Sequence, residues 1–297
     1  MIQCRVGFFL CILVLHVMSA QGFCEANHDS PAVKEVSVDS NASVAYAWPS
    51  DFSKVKTANA FTEYAAGLTW LFFLFDIDHR EYDWTNGDDL AGGAGQAPWR
   101  SLTRIAPGVQ YYHKVGDQWA VWGKFTAIAG FEDAVSSKSW TLNPQALVFY
   151  PTKGPATFFL GAGALYHPAA TVIYPILGAA WNQGVQSGLS AVLGFPETVI
   201  RYAFGERLSV RAGVRSDIRF YSLSEESTVE PGGCLKTTDL VPEIGVEYAP
   251  VANLTVYFGG RCYLDRRSTL YDRDQEESAE YRQDPAWSVF LKIQYHS

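Results

Sequence analysis

Residues 208–221 read LSVRAGVRSDIRFY, and their alternation decides the fold class. A β-strand turns successive side chains to opposite faces. One face of this run carries Leu208, Val210, Ala212, Val214, Ser216, Ile218 and Phe220, and the other carries Ser209, Arg211, Gly213, Arg215, Asp217, Arg219 and Tyr221. The run is far longer than the ~5–6 residues of a typical globular strand, and it is long enough to cross a bilayer obliquely. The aliphatic row is expected to meet lipid and the arginine row to line a lumen. The fold class that follows is all-β: an antiparallel transmembrane β-barrel in the outer membrane of a Gram-negative bacterium.

The composition suits strands. The 297 residues include nine Trp and sixteen Tyr but only two Met, a balance that favours β-structure over helix. The chain opens with Arg5, an apolar core over 6–17 and small residues at Ser19, Ala20 and Gly22, the pattern of a cleaved signal peptide spanning 1–22. Its removal leaves 22 basic against 31 acidic residues, so the exported chain is acidic and a poor partner for nucleic acid. Beyond the signal no apolar run reaches the roughly eighteen residues of a membrane helix. Only helices and closed barrels satisfy their backbone inside a bilayer, so membrane residence here means a barrel.

Residues 23–60 mix Ser, Ala, Val and Asn without a sustained period and read as a periplasmic lead-in or loosely ordered segment, which leaves 61–297 for the barrel. About twelve alternating runs follow, at 68–83, 101–115, 119–132, 140–151, 156–167, 171–182, 186–194, 197–204, 208–222, 238–249, 254–265 and 285–295. Short connections at 115–118, 151–155, 182–185, 205–207 and 250–253 alternate with a second set that includes the long segments 84–100, 223–237 and 266–284. Bacterial barrels keep short turns in the periplasm and long loops outside, which puts all three long segments on the outer side. Trp119, Tyr150, Trp181, Tyr248 and Tyr295 then mark the periplasmic interface, and Trp140, Tyr166, Tyr174, Tyr221, Tyr263 and Trp287 the outer one. The last run alternates from Trp287 to Tyr295, as a closing strand presented to the barrel-assembly machinery would.

Three ordered motifs add a resemblance: the run His79, Arg80, Glu81, Tyr82, Asp83, Trp84; then Tyr112 followed by the segment Gly116, Asp117, Gln118, Trp119; then Leu193, Gly194, Phe195, Pro196 leading to Tyr202. Over about residues 60–295 the chain resembles an uncharacterised family of Gram-negative outer-membrane β-barrel proteins, a domain of unknown function. The resemblance implies a barrel in the outer membrane and transfers no catalytic residue.

The register places Arg104, Lys124, Arg201, Arg211, Arg215, Arg219, Arg261 and Lys292 inside, with Glu132, Asp217, Glu243 and Glu247. The lumen-lining candidates are Arg201, Arg211, Arg215, Asp217, Arg219, Glu243, Glu247 and Arg261. An open lumen of this kind makes a small porin-like channel for anionic or polar solutes. The same charges at matching heights, Arg211 with Glu247 and Arg215 with Glu243 and Arg261, also suit a ladder that seals a structural barrel, leaving the outer loops to contact a partner or surface lipid. His79, His113 and His167 lack a serine or acid at a telling spacing, so no catalytic constellation is read. The glycines at 92–95 lack a following Lys and helix, and neither a cofactor nor a metal motif is found. Phe23 is bulkier than a lipidation signal before Cys24 takes, while Cys234 and Cys262 fall on one predicted side, as a disulfide or as two free thiols. The expected partners are outer-membrane lipid, the assembly machinery and small anionic or polar solutes; a lipid face alone fixes no oligomeric state.

Overall fold

The computed structural model describes residues 38–297 apart from 54, 56, 88–89, 91–96, 117 and 184. The expected signal peptide and residues 23–37, Cys24 among them, lie outside the described residues. The strands are β1 (Val38–Asp51), β2 (Ala58–Trp70), β3 (Phe73–Thr85), β4 (Ser101–Val115), β5 (Trp119–Phe131), β6 (Trp140–Pro151), β7 (Ala156–Tyr166), β8 (Thr171–Trp181), β9 (Ser187–Phe195), β10 (Glu197–Phe204), β11 (Leu208–Ser222), β12 (Cys234–Val251), β13 (Leu254–Tyr271), β14 (Glu277–Gln283) and β15 (Ala286–His296). Each strand from β2 to β13 pairs with its predecessor, and β15 closes the ring between β13 and β1. The lower part of β13 pairs with β15 and its upper part with β14. Pro285, which offers no N–H, separates β14 from β15. The two form one broken stave, so the closed ring has fourteen staves and not twelve.

The two extra staves come from the N-terminal end. β1 and the start of β2 occupy 38–60, the segment expected to be a lead-in. Ala45 and Ala47 hold two of the three buried positions of β1, clustered with Phe290 and Phe61 from neighbouring staves, so the alternation is muted in β1 itself. The run expected at 68–83 is in fact the end of β2, a turn, and most of β3. Leu71 has a left-handed φ of 56° there, yet Leu71 and Phe72 are exposed apolar residues. A turn lying against lipid at the interface is hydrophobic, so the usual Gly, Asn and Pro signals are missing.

The outward face is apolar around the ring, with Val44, Phe75, Val109, Phe125, Leu160, Ile173, Ile200, Ile244 and Phe258 all exposed. Trp119, Tyr150, Trp181 and Tyr248 are exposed near the periplasmic ends, and Trp140, Tyr166 and Trp287 near the outer ends. A closed barrel with such a belt is an outer-membrane β-barrel. Three aromatics leave the expected girdle: Tyr221 and Tyr263 are fully buried, and the Tyr174 hydroxyl accepts from Gln145 Nε2 at 2.9 Å. The upper end of the aliphatic row of β11 does not meet lipid either. His167, in the β7–β8 loop, stacks on Phe220 with ring centroids 4.5 Å apart and keeps it buried.

Strand length is uneven around the ring. β12 and β13 have 18 residues each, whereas β9 has nine and β10 eight. β13 and β14 take up most of the segment expected as a loop at 266–284, whereas of 223–237 only 234–237 belongs to a strand. Above the short staves the tall ones close on each other: Ser222 of β11 pairs in parallel with Phe131 of β5, and the Glu132 N–H donates to the Ser222 carbonyl at 3.0 Å. Gly130 permits this approach, since a Cβ there would collide with the Phe220 carbonyl. Inside this upper ring Phe52, Trp99, Leu102, Tyr221, Leu235 and Leu270 pack with Tyr82, Trp84 and Tyr281 into an apolar core.

Cys234 and Cys262 are both buried free thiols, and no disulfide joins them. Cys234 lies opposite Tyr271, which is nine residues along β13 from Cys262. At the rise of a strand that is about 30 Å, far beyond the ~4.4–6.8 Å between the Cα atoms of a disulfide.

Candidate functional site

Directly below the apolar core the interior is crossed by ion pairs. Arg219, on β11, places Nη1 2.8 Å from Asp78 and 3.3 Å from Glu63, and Nη2 2.7 Å from Asp217. Arg80 Nε lies 2.6 Å from Glu63, and Arg104 Nε 2.6 Å from Asp78. Arg215 and Arg261 converge on one oxygen, Glu243 Oε2, at 3.0 and 3.1 Å. Arg266 adds Asp239 at 3.6 Å and donates to the Ser50 hydroxyl. The guanidiniums of Arg80 and Arg261 also lie 4.9 Å and 4.1 Å from the Phe61 and Phe290 ring centres. These groups come from β1–β4, β11–β13 and β15, so the contacts span the lumen. Buried charges persist only where they are multiply paired, and here Glu63, Asp78 and Glu243 each serve at least two arginines.

The periplasmic half is built differently. A cavity of about 360 Å³ follows the inner face of β9 and β10, lined by Gln183, Ser190, Val192, Glu197, Val199, Arg201, Arg211 and Glu247. Arg201 Nε is 2.7 Å from Glu247 Oε2, which also accepts from the Ser209 hydroxyl at 2.8 Å. Arg211 is held more loosely, 3.4 Å from Glu197 and 3.8 Å from Glu247, and its buried Nε has no hydrogen-bond partner. The eight sequence-chosen residues therefore divide between two sites. Arg215, Asp217, Arg219, Glu243 and Arg261 belong to the outer ion-pair layer, and Arg201, Arg211 and Glu247 belong to the cavity.

Sequence reading passed over Glu63, Arg80, Asp78, Asp239 and Arg266 as members of the layer. Glu63 lies on β2, which the pattern concealed; once the turn is set at Leu71 and Phe72, it falls directly opposite Arg80. The three histidines occupy separate places. His79 Nδ1 is 2.8 Å from the Thr103 hydroxyl, His113 stacks on Tyr111, and His167 is buried above the membrane. The His167 Nε2–H donates to the Lys138 carbonyl at 2.9 Å while Nδ1 accepts from the Ala169 N–H. Burial pushes its pKa down to about 4, and the Lys138 bond offsets part of that shift.

No protein-family model and no curated protein matches the chain. Among solved structures it is similar to the porin KdgM, at 8% identity over 86% of this chain and 98% of that chain with a TM-score of 0.35. It is also similar to an outer-membrane channel from Pseudomonas putida F1, at 7% identity over 91% and 99% with a TM-score of 0.42. A third is the outer-membrane protease OmpT from Escherichia coli, at 8% identity over 91% and 100% with a TM-score of 0.28. At these values the likeness extends no further than the barrel architecture.

Proposed function

We propose that the protein is a porin-like channel for small anionic or polar solutes, shut at its outer mouth in the conformation described. The observation that carries this reading is the unequal pairing of the arginines. In the outer layer Arg80, Arg104, Arg215, Arg219 and Arg261 each have a carboxylate oxygen within 3.1 Å, whereas the carboxylates nearest Arg211, on the cavity, lie 3.4 and 3.8 Å away. A loosely paired guanidinium beside a polar cavity recruits anions. In this reading Arg201 and Arg211 attract the solute and Glu247 fixes their orientation, while Arg215, Asp217, Arg219, Glu243 and Arg261 act as the closure. Export through a signal peptide at 1–22, and insertion by the barrel-assembly machinery with β15 as closing strand, complete the proposal. The wide separation of His79, His113 and His167 supports a non-enzymatic role.

Recording the refolded mature chain in a planar bilayer under a salt gradient tests it. Small openings with anion preference are expected, and Arg211→Glu should weaken or reverse that preference. Selectivity unchanged by this substitution would overturn the role given to Arg211. The closed ion-pair layer and apolar core also favour a second reading, a structural barrel whose outer surface binds a partner or surface lipid. A protein that inserts, shifts on heating in a gel and stays silent at every voltage would support that one.

A further inference from the structure

The wall beside the cavity is incomplete. β8 meets β9 only over Leu177–Trp181, so residues 171–176 of β8 have no strand partner on that side among the described residues. β11 meets β10 only over Ser209–Arg215, and its last link there runs from the Ser216 N–H to the Pro196 carbonyl at 3.1 Å. Between these edges, above Pro196, no backbone ladder joins β8 to β11. The seam is held by side chains alone, with Val172 and Tyr174 packed among Ile218 and Phe220. Parting such contacts breaks no ladder hydrogen bonds, whereas opening the outer mouth requires dismantling both the ion-pair layer and the apolar core.

The level of the seam follows from strand length. A tilted strand needs about 9–11 residues to cross the hydrocarbon, and β10 has eight. Its outer end, and the seam above it, therefore lie at the depth of the outer leaflet. Unpaired backbone is tolerated there only where it lines a cavity or is covered. Glu197 sits on this sill with its side chain 51% exposed, and it also lines the cavity whose other end is Gln183 at the periplasmic turn. The cavity thus runs the height of the short hairpin. Its lining mixes Arg201 and Arg211 with Ala191, Val192 and Val199. Outside the seam, Ile173 is 76% exposed and Phe195 and Leu193 are exposed as well.

We infer that the passage is lateral: a single-chain amphiphile with an anionic head moves between the outer leaflet and the cavity through the β8–β11 seam, its head exchanging with Glu197 and Glu247 on Arg211. This deepens the porin-like reading and rests on it for direction of transport only. The head requires a loosely paired guanidinium, the chain requires apolar lining and a way into lipid, and these meet at this place in the barrel.

The test uses the full mature chain in liposomes, with Cys234 and Cys262 replaced by serine and a single Glu197→Cys, on the sill below the seam, or Ser216→Cys, at the foot of its β11 edge. Folding is checked by heat-modifiable mobility, and either variant suffices if the other does not fold. A membrane-impermeant thiol reagent should label both. Decanoate below its micellar concentration should slow labelling at least fivefold, acetate should not, and Arg211→Gln should remove the protection. A thiol that stays unreactive in the folded barrel, or decanoate that gives no protection, would overturn the lateral route. Equal protection by acetate would overturn the amphiphile in favour of a simple anion. The outcome is independent of the bilayer recordings. Protection in a silent barrel would refute the channel and leave the amphiphile site standing, and anion currents without protection would do the reverse.

Discussion

The two halves of the barrel interior use the same residue types and arrive at opposite states. In the outer half, Arg80, Arg219 and Arg261 are nearly excluded from solvent and share Glu63, Asp78, Asp217 and Glu243 in a network closed above by aromatic packing. In the periplasmic half, Arg201 and Arg211 share Glu247 beside a cavity, and the carboxylates nearest Arg211 are 3.4 and 3.8 Å away. The difference traces to strand length. Where staves have 13 to 18 residues they rise past the membrane and close on each other, burying whatever faces inward. Where β9 and β10 stop at nine and eight residues there is no opposing surface to fill the space. Arginine in this barrel is a lock or a ligand site according to how much wall stands above it.

The largest effect that would sharpen this contrast is expected from Arg219→Ala. It removes the arginine that Asp217, Asp78 and Glu63 share in the buried layer, leaving Asp217 only Arg80 at 3.6 Å, and should lower stability by about 3–5 kcal/mol in urea unfolding from detergent micelles. A loss below about 1 kcal/mol would mean the layer is hydrated. Trp99→Ala removes a fully buried side chain of the apolar core and should cost about 3 kcal/mol. Limited proteolysis should show cleavage at the outer loops while the membrane body survives.

Acid should act on the β7–β8 loop next. His167 is neutral when docked on Phe220, with its pKa down at about 4, so the undocked loop binds more protons wherever the pH is below the ordinary value. Docking is therefore strongest above pH ~6.5 and weakens as pH falls toward 4, by about 2 kcal/mol at pH 5. Protease susceptibility of this loop against pH measures it, and His167→Gln should flatten the profile. The smallest change in stability is expected from Arg211→Gln, under about 1 kcal/mol because its contacts are long and partly solvated. Its effect on anion preference should nevertheless exceed that of any outer-layer variant that still folds.

Most of the fold was legible because alternation survives wherever one face meets lipid. The strands from β4 to β11 begin and end within a residue of where the pattern of Leu, Val, Trp and Tyr places them. Legibility failed where that contrast faded. β1 carries Ala at two of its buried positions, and the β2–β3 turn is apolar because it faces the interface. The segment at 266–284, and the last four residues of 223–237, looked like loops because strand ends above the membrane have no lipid to select an apolar face. Within the interior, counting upward from the turns sets Arg215, Glu243 and Arg261 at one height, and the structure has them in contact. Glu63 was out of reach for the same reason that β2 was. The apolar core was out of reach because it joins residues as distant as Phe52, Trp99 and Leu270, which only the upper closure of β5 on β11 brings together.

Two serines offer the most direct test of the division between sealed and accessible halves, because both are 6% exposed: Ser50 beside Arg266 in the outer layer and Ser190 on the cavity. In a chain lacking Cys234 and Cys262, Ser50→Cys and Ser190→Cys would each be exposed to a membrane-impermeant thiol reagent on both sides of the bilayer. The account predicts that the Ser190→Cys variant reacts in the folded barrel and that the Ser50→Cys variant reacts only after unfolding. Comparable rates for the two, or labelling of Ser50→Cys from the outer side, would contradict it.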